Sequence, residues 1–150
     1  MRHLTRREAL ALAAAGSAMA LAGASPASAT PKEAADEIAK FTGGKTAEAG
    51  RISIDLPEIA ENGNTVPLSV KVDSPMTAES YVSDILVVAD GNPRPGIITF
   101  RLTPLSGHAE AATRIRLAAT ENIIVVAKTS DGKFFTASKP VKVTIGGCGG

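Results

Sequence analysis

Val66-Pro67-Leu68-Ser69-Val70-Lys71-Val72 decides the fold class. Its apolar residues fall at every second position, which turns one face of side chains to a core and the other to water; this is the period of a strand. The same alternation returns at Ile98, Phe100 and Leu102, at Ile115 and Leu117, and at Val141, Val143 and Ile145. Two runs, Ile85-Leu86-Val87-Val88 and Ile123-Ile124-Val125-Val126, are apolar throughout and read as central strands covered on both sides. Shorter strands fit Ile52 to Leu56 and Phe134 to Ala137. The connectors carry turn chemistry: Glu61-Asn62-Gly63-Asn64, Asp73-Ser74-Pro75, Asp90-Gly91-Asn92-Pro93, Ser106-Gly107-His108 and Ser130-Asp131-Gly132-Lys133. Seven or eight short strands with frequent turns predict an all-β, immunoglobulin-like sandwich. The chain lacks the Cys…Trp…Cys signature of true immunoglobulin domains. Pro67 is expected at an edge or a strand start.

Upstream of the strands, Thr30-Pro31-Lys32-Glu33 reads as a helix start, with Thr30 as cap and Glu33 closing a capping box. Ile38 and Phe41 give this short helix an apolar side, and Gly43-Gly44 ends it. Residues 1–29 read as an address. Arg2, Arg6 and Arg7 form a basic region, Ala9 to Ala24 is rich in Ala and Leu, and Ala27-Ser28-Ala29 is a small-residue cleavage pattern ahead of Thr30. The Arg6-Arg7 pair followed by Leu10 resembles a twin-arginine export signal; an ordinary secretory signal with adjacent arginines is the competing reading. The expected organisation is a signal peptide over 1–29, a sandwich with its N-terminal helix over 30–145, and a flexible arm over 146–150.

Composition narrows the function. The whole chain holds 16 Lys+Arg and 15 Asp+Glu, and 13 and 14 remain once Arg2, Arg6, Arg7 and Glu8 leave with the signal. Such a balance, with aromatics at 3%, speaks against a nucleic-acid binder. Beyond residue 29 there is one His (His108), one Met (Met76) and one Cys (Cys148), too few for a blue-copper centre or an ordinary zinc site. No metal, no resident cofactor and no membrane anchor are expected. His108 reads as a solvated turn residue, Met76 as filler of a surface gap, and Arg114 and Arg116 as a wet strand face.

The chemistry lies at the end, where Val141 to Ile145 runs into Gly146-Gly147-Cys148-Gly149-Gly150. Four glycines hold no preferred conformation and give the cysteine no apolar neighbours. A buried, packing role for Cys148 is thereby set aside. On this reading the glycines bury nothing, and valine at positions 147 and 149 leaves the fold unchanged. No cation in the sequence adjoins Cys148 to lower its ordinary pKa of roughly 8.5. The thiol is therefore presented for others to activate and is not itself catalytic. A labelling tag and the terminal Gly-Gly of ubiquitin-like sulfur carriers are the competing readings, the second opposed by export. In an oxidising compartment, two exposed chains are also expected to join through Cys148 as a disulfide dimer.

The chain resembles the SoxY family, the sulfur-carrying subunit of the bacterial thiosulfate-oxidising Sox system. The resemblance rests on Val143-Thr144-Ile145 followed by the glycine-cysteine arm, on Ala60 to Pro67, Val72 to Met76, Phe100 to Gly107 and Thr113 to Leu117, and on the paired arginines. It implies an immunoglobulin-like body in a heterodimer with SoxZ, exported to the periplasm by the twin-arginine route. It implies that SoxAX joins thiosulfate to Cys148 as an S-thiosulfonate and that SoxB releases sulfate, leaving a persulfide-type sulfur. It further implies that SoxCD oxidises that sulfur where the enzyme is present, or that the sulfur is passed to storage sulfur where it is missing. The protein would be a carrier and not an enzyme. The alternative class is a non-catalytic sandwich interaction module with an incidental cysteine tail. The apolar strands read as core or as part of a heterodimer face.

Overall fold

The computed structural model describes residues 31–147. The chain opens with α1 (Pro31–Thr42), where Pro31 suits the first turn, Glu33 places an acid near the N-terminus and Lys40 a base near the C-terminus. Gly43, at φ 63°, takes the left-handed conformation that stops the helix. The Gly44 amide then donates back to the Ala39 carbonyl at 3.0 Å.

Nine strands follow among the described residues: β1 (Glu48–Ala49), β2 (Ile52–Asp55), β3 (Ile59–Asn62), β4 (Val66–Val72), β5 (Val82–Ala89), β6 (Gly96–Arg101), β7 (Glu110–Ile115), β8 (Glu121–Thr129) and β9 (Phe134–Ile145). The larger sheet runs β1-β9-β8-β5-β6, with β3 also paired to β9, and the smaller runs β2-β4-β7. Pairing is antiparallel except where β1 and β3 lie parallel to β9. The expected all-β, immunoglobulin-like sandwich is what the chain forms.

The alternation in β4 does what its period requires. Val66, Leu68, Val70 and Val72 are all buried in the core between the sheets. Each such side chain contributes roughly 1.5–3 kcal/mol by leaving water. Facing them are Val82, Ile85 and Val87 of β5 and Ile123, Val125 and Ala127 of β8. The intervening residues Leu86, Val88 and Val126 point to the other side and are buried too, under Ala34, Ile38 and Phe41 of α1. Phe41 meets Phe134 edge-on, centroids 6.0 Å apart. The helix therefore covers the apolar surplus of β5 and β8 within the chain, and that surplus does not by itself call for a partner.

Several details differ from the sequence reading. Phe134–Ala137 and Val141–Ile145 are one continuous strand, because Pro140 removes only an amide on the β1/β3 side of β9. There β1 reaches Thr136 and β3 begins at Lys142, so the missing donor falls in the gap. The Lys139 ammonium crosses this gap to the Leu56 carbonyl at 2.8 Å. Pro67 likewise sits where β4 is paired on one side only, since β2 covers Ser69 to Val72. Glu61-Asn62, read as a turn, ends strand β3. Met76 is no surface filler: it is buried, and its sulfur accepts the Val82 amide at 3.4 Å.

Candidate functional site

The residues that matter converge at one end of the sandwich, where β9 finishes. Asn62 of β3 lies beside Ile145, and the chain turns at once into Gly63. The Gly63 amide donates to the Ile145 carbonyl, the Leu117 amide donates to the Gly63 carbonyl, and the Gly147 amide donates to the Leu117 carbonyl, each at 2.8 Å. Asn64 is held in an Asx turn, its amide donating to Asn62 Oδ1 at 2.9 Å. Further back, the Val143 amide donates to Thr120 Oγ1 at 3.0 Å. Three separate stretches (62–64, 117–120 and 143–147) are thus laced together around the last strand.

Close approach of backbone to backbone makes glycine necessary here. A Cβ on Gly146 would lie inside contact distance of the Ala118 carbonyl oxygen, and one on Gly63 would overlap the Leu117 carbonyl oxygen and stand 2.7 Å from the Gly147 nitrogen. A Cβ on Gly147 would stand 2.9 Å from the Gly63 carbonyl oxygen. The expectation that 146–150 is an arm whose glycines bury nothing is corrected at Gly147, which is buried, while Gly146 is exposed but has the space for a Cβ taken by the Ala118 carbonyl; the two form the root of the arm. Cys148, Gly149 and Gly150 lie outside the described residues, as do Arg6, Arg7, Ala29 and Thr30. Covalent geometry alone keeps the Cys148 Cα about 3.8 Å from that of Gly147.

The segment 116–118 that grips this root is itself gripped by Asn92. This side chain is buried; its Nδ2 donates to the Arg116 carbonyl and its Oδ1 accepts the Ala118 amide, both at 2.8 Å. The loop carrying Asn92 is fixed in turn. Asp90 accepts the Asn122 amide and side-chain Nδ2, each at 2.8 Å, and Glu121 Oε2 accepts the Gly91 amide at 2.8 Å. The sequence reading treated Asp90-Gly91-Asn92-Pro93 as a turn only and gave Asn92 no role. A polar side chain that copies strand hydrogen bonding to a distant segment leaves no periodic signal.

Glu121 is a buried acid, and its Oε1 has no hydrogen-bond partner among the described residues. Burial pushes its pKa above the ordinary value of 4.5, and the nearby Asp90 charge adds to the rise, while the amides of Gly91, Ala119 and Asn92 oppose it. The protonated form is therefore relatively favoured in the fold. Stability from this group is full below the unfolded pKa and is lost as pH rises through the raised folded value. Glu121→Gln, which keeps the acceptor and removes the charge, is expected to raise the melting temperature relative to wild type more at pH 7.5 than at pH 4. Thermal melts at the two pH values check this; an equal difference at both would show that the carboxyl does not titrate between them.

His108 cannot serve the same end of the molecule. It is exposed just before β7, whereas Leu117 lies just past the far end of that strand. Six extended residues at about 3.3 Å each place them roughly 20 Å apart. Arg116, by contrast, adjoins Leu117, and Arg114 lies two residues earlier on β7. Among the described residues no three His, Cys, Asp or Glu side chains gather as a metal site, and no helix is long and apolar enough to cross a membrane.

Fold and site together define an immunoglobulin-like sandwich whose last strand is locked through Gly146 and Gly147 and leads directly to the single cysteine of the chain. The family model described as sulfur oxidation protein SoxY matches residues 38–148. The sulfur carrier protein SoxY from Chlorobium limicola f thiosulfatophilum superposes with a TM-score of 0.65 at 33% identity, over 77% of this chain and 100% of that one. The chain belongs to the SoxY family. A superoxide reductase (neelaredoxin) variant from Ignicoccus hospitalis superposes at TM-score 0.57 with 18% identity, over 76% of this chain and 92% of that one. A superoxide reductase from Nanoarchaeum equitans does so at 0.54 with 9% identity, over 64% and 100%. These two share the fold alone. No curated protein sequence matches the chain.

Proposed function

We propose that the chain is a periplasmic covalent sulfur carrier, exported through its twin-arginine signal, that holds intermediates of thiosulfate oxidation on Cys148 and performs no catalysis alone. The observation that carries this reading is the clamped root. The body spends three glycines and a ring of backbone bonds on fixing the residue immediately before its only cysteine. A scaffold that merely ended in a tail would have no use for it. Membership of the SoxY family supports the same reading.

The chemistry balances on one sulfur atom. Thiol and thiosulfate join as the S-thiosulfonate, losing one proton and two electrons to a haem enzyme of the SoxAX type. Water then cleaves the terminal sulfonate as sulfate and a proton, leaving a persulfide, in the manner of a SoxB-type hydrolase. SoxCD, where present, oxidises that sulfur further. SoxZ is the proposed partner subunit, and two chains can also pair through Cys148. Intact mass measured on protein from cells grown with thiosulfate tests the reading. A mass increment that reductant removes is expected on the wild type and not on Cys148→Ser. No such increment, or one that persists on Cys148→Ser, overturns it.

A further inference from the structure

We propose that the groove between the free edges of the two sheets binds a small sulfur oxyanion: sulfate, thiosulfate, or the sulfonate end of a cysteine S-thiosulfonate. The inference deepens the carrier reading and rests on it for the kind of anion. β6 ends the larger sheet and β7 the smaller, and between them lies a groove of ≈ 450 Å³. Three of its lining residues are Arg94, Arg114 and Arg116, with Asn92 and Gly96 among the others.

Among the described residues no acidic residue lines the groove. Five of the cations beyond residue 29 pair with a carboxylate, and none of the five is in the groove. Arg94, Arg114 and Arg116 have no ion pair among the described residues, although the chain as a whole is nearly neutral. On the helix side Glu33, Asp36 and Glu37 line a neighbouring groove with Arg94, and of these Asp36 is bonded to Lys32 at 2.9 Å and Glu37 to Lys40 at 2.7 Å. Arg94 stands between Pro93 and Pro95, whose rings fix the backbone on either side of it. Arg114 and Arg116 are two residues apart on extended chain and so project from the same side. Guanidinium forks match pairs of oxygens on a tetrahedral anion, and three of them around one groove favour a multiply charged oxyanion.

Location favours the sulfur oxyanion over an acidic protein surface. The stretch 116–118 has the groove on one side, where Asn92 bonds Arg116 and Ala118, and the arm root on the other, where Leu117 bonds Gly147. Arg116 is one step along the chain from Leu117, and Cys148 is one step from Gly147, at about 3.8 Å per step. A sulfonate carried on Cys148 is thus tethered two such steps and one backbone hydrogen bond from Arg116.

The test is an amide NMR titration of the full chain carrying Cys148→Ser, with sodium thiosulfate against sodium chloride at equal ionic strength. Because no thiol is present, the outcome does not depend on covalent carriage. Saturable shifts confined to residues 92–97 and 114–118 are expected. They should weaken at least about tenfold in affinity when Arg114→Gln and Arg116→Gln are added, since two of three charged donors are gone. A second arm loads wild-type Cys148 with tetrathionate, which gives the S-thiosulfonate, thiosulfate and a proton. If the loaded chain shows the groove shifts without added anion, the tethered sulfonate is the ligand. If it still binds thiosulfate with unchanged affinity, the free anion is. Shifts that never saturate, that chloride reproduces, that survive both substitutions, or that only a Glu-rich peptide produces overturn the proposal. A saturating titration alongside an absent adduct in cells would remove the carrier reading and leave the groove standing.

Discussion

Gly63→Ala and Gly146→Ala are each expected to lower the melting temperature by several degrees, though each adds only one methyl group. Neither glycine needs a left-handed backbone; each is required because a carbonyl oxygen of the β7–β8 connector occupies the space a Cβ would take. Backbone cannot swing aside as the end of a long side chain can, so relief must come from shifting 62–64 or 117–118 and stretching the bonds among Ile145, Gly63, Leu117 and Gly147. Overpacking of this sort costs about 1–3 kcal/mol. For a domain of this size that is on the order of 3–10 °C. Gly63→Ala should be the worse, since its methyl meets two backbone atoms, the Leu117 oxygen and the Gly147 nitrogen. Thermal unfolding followed by circular dichroism checks the order. Melting temperatures equal to wild type in both variants would show that the root yields freely.

The sandwich was legible because most of its strands expose one face or bury both, and either case leaves a periodic or wholly apolar run. Val66 to Val72 and Ile123 to Val126 declared themselves for that reason. β1 and β3 did not: at two and four residues they are too short for a period, and they exist because the edge of β9 offers them backbone partners. The cysteine and its glycines were equally plain in the sequence, yet their spelling does not say that Gly146 and Gly147 are wedged. That depends on the Ala118 and Gly63 carbonyls, which lie some thirty and some eighty residues away in sequence and arrive only through the fold. Arg94 was missed as a neighbour of Arg114 and Arg116 for the same reason, since the three meet only across two sheet edges.

Asn92→Ala is expected to cost about 2–4 kcal/mol, because it deletes a buried side chain and leaves both the Arg116 carbonyl and the Ala118 amide without their partner. Loss of stability alone would not distinguish a clamp from any other core residue. The sharper readout is hydrogen exchange at the Gly147 amide, whose acceptor is the Leu117 carbonyl between those two residues. If Asn92 holds 116–118 in place, exchange there should rise further than at Val125, deep in the core. Asn92→Asp supplies the converse. Its charged carboxylate can still accept the Ala118 amide but faces the Arg116 carbonyl as a second acceptor, with Asp90 and Glu121 near in the chain and the fold. The neutral acid donates where the amide did, so the folded pKa of the introduced group must lie above its unfolded value of about 3.9. Its stabilising contribution is then present below that value and is lost as pH rises through the folded one. The variant should melt well below wild type at pH 7.5 and recover most of the deficit near pH 4, with protection at Gly147 returning in step. A deficit that stays the same across that range would mean the Nδ2 bond to Arg116 is not what holds the root.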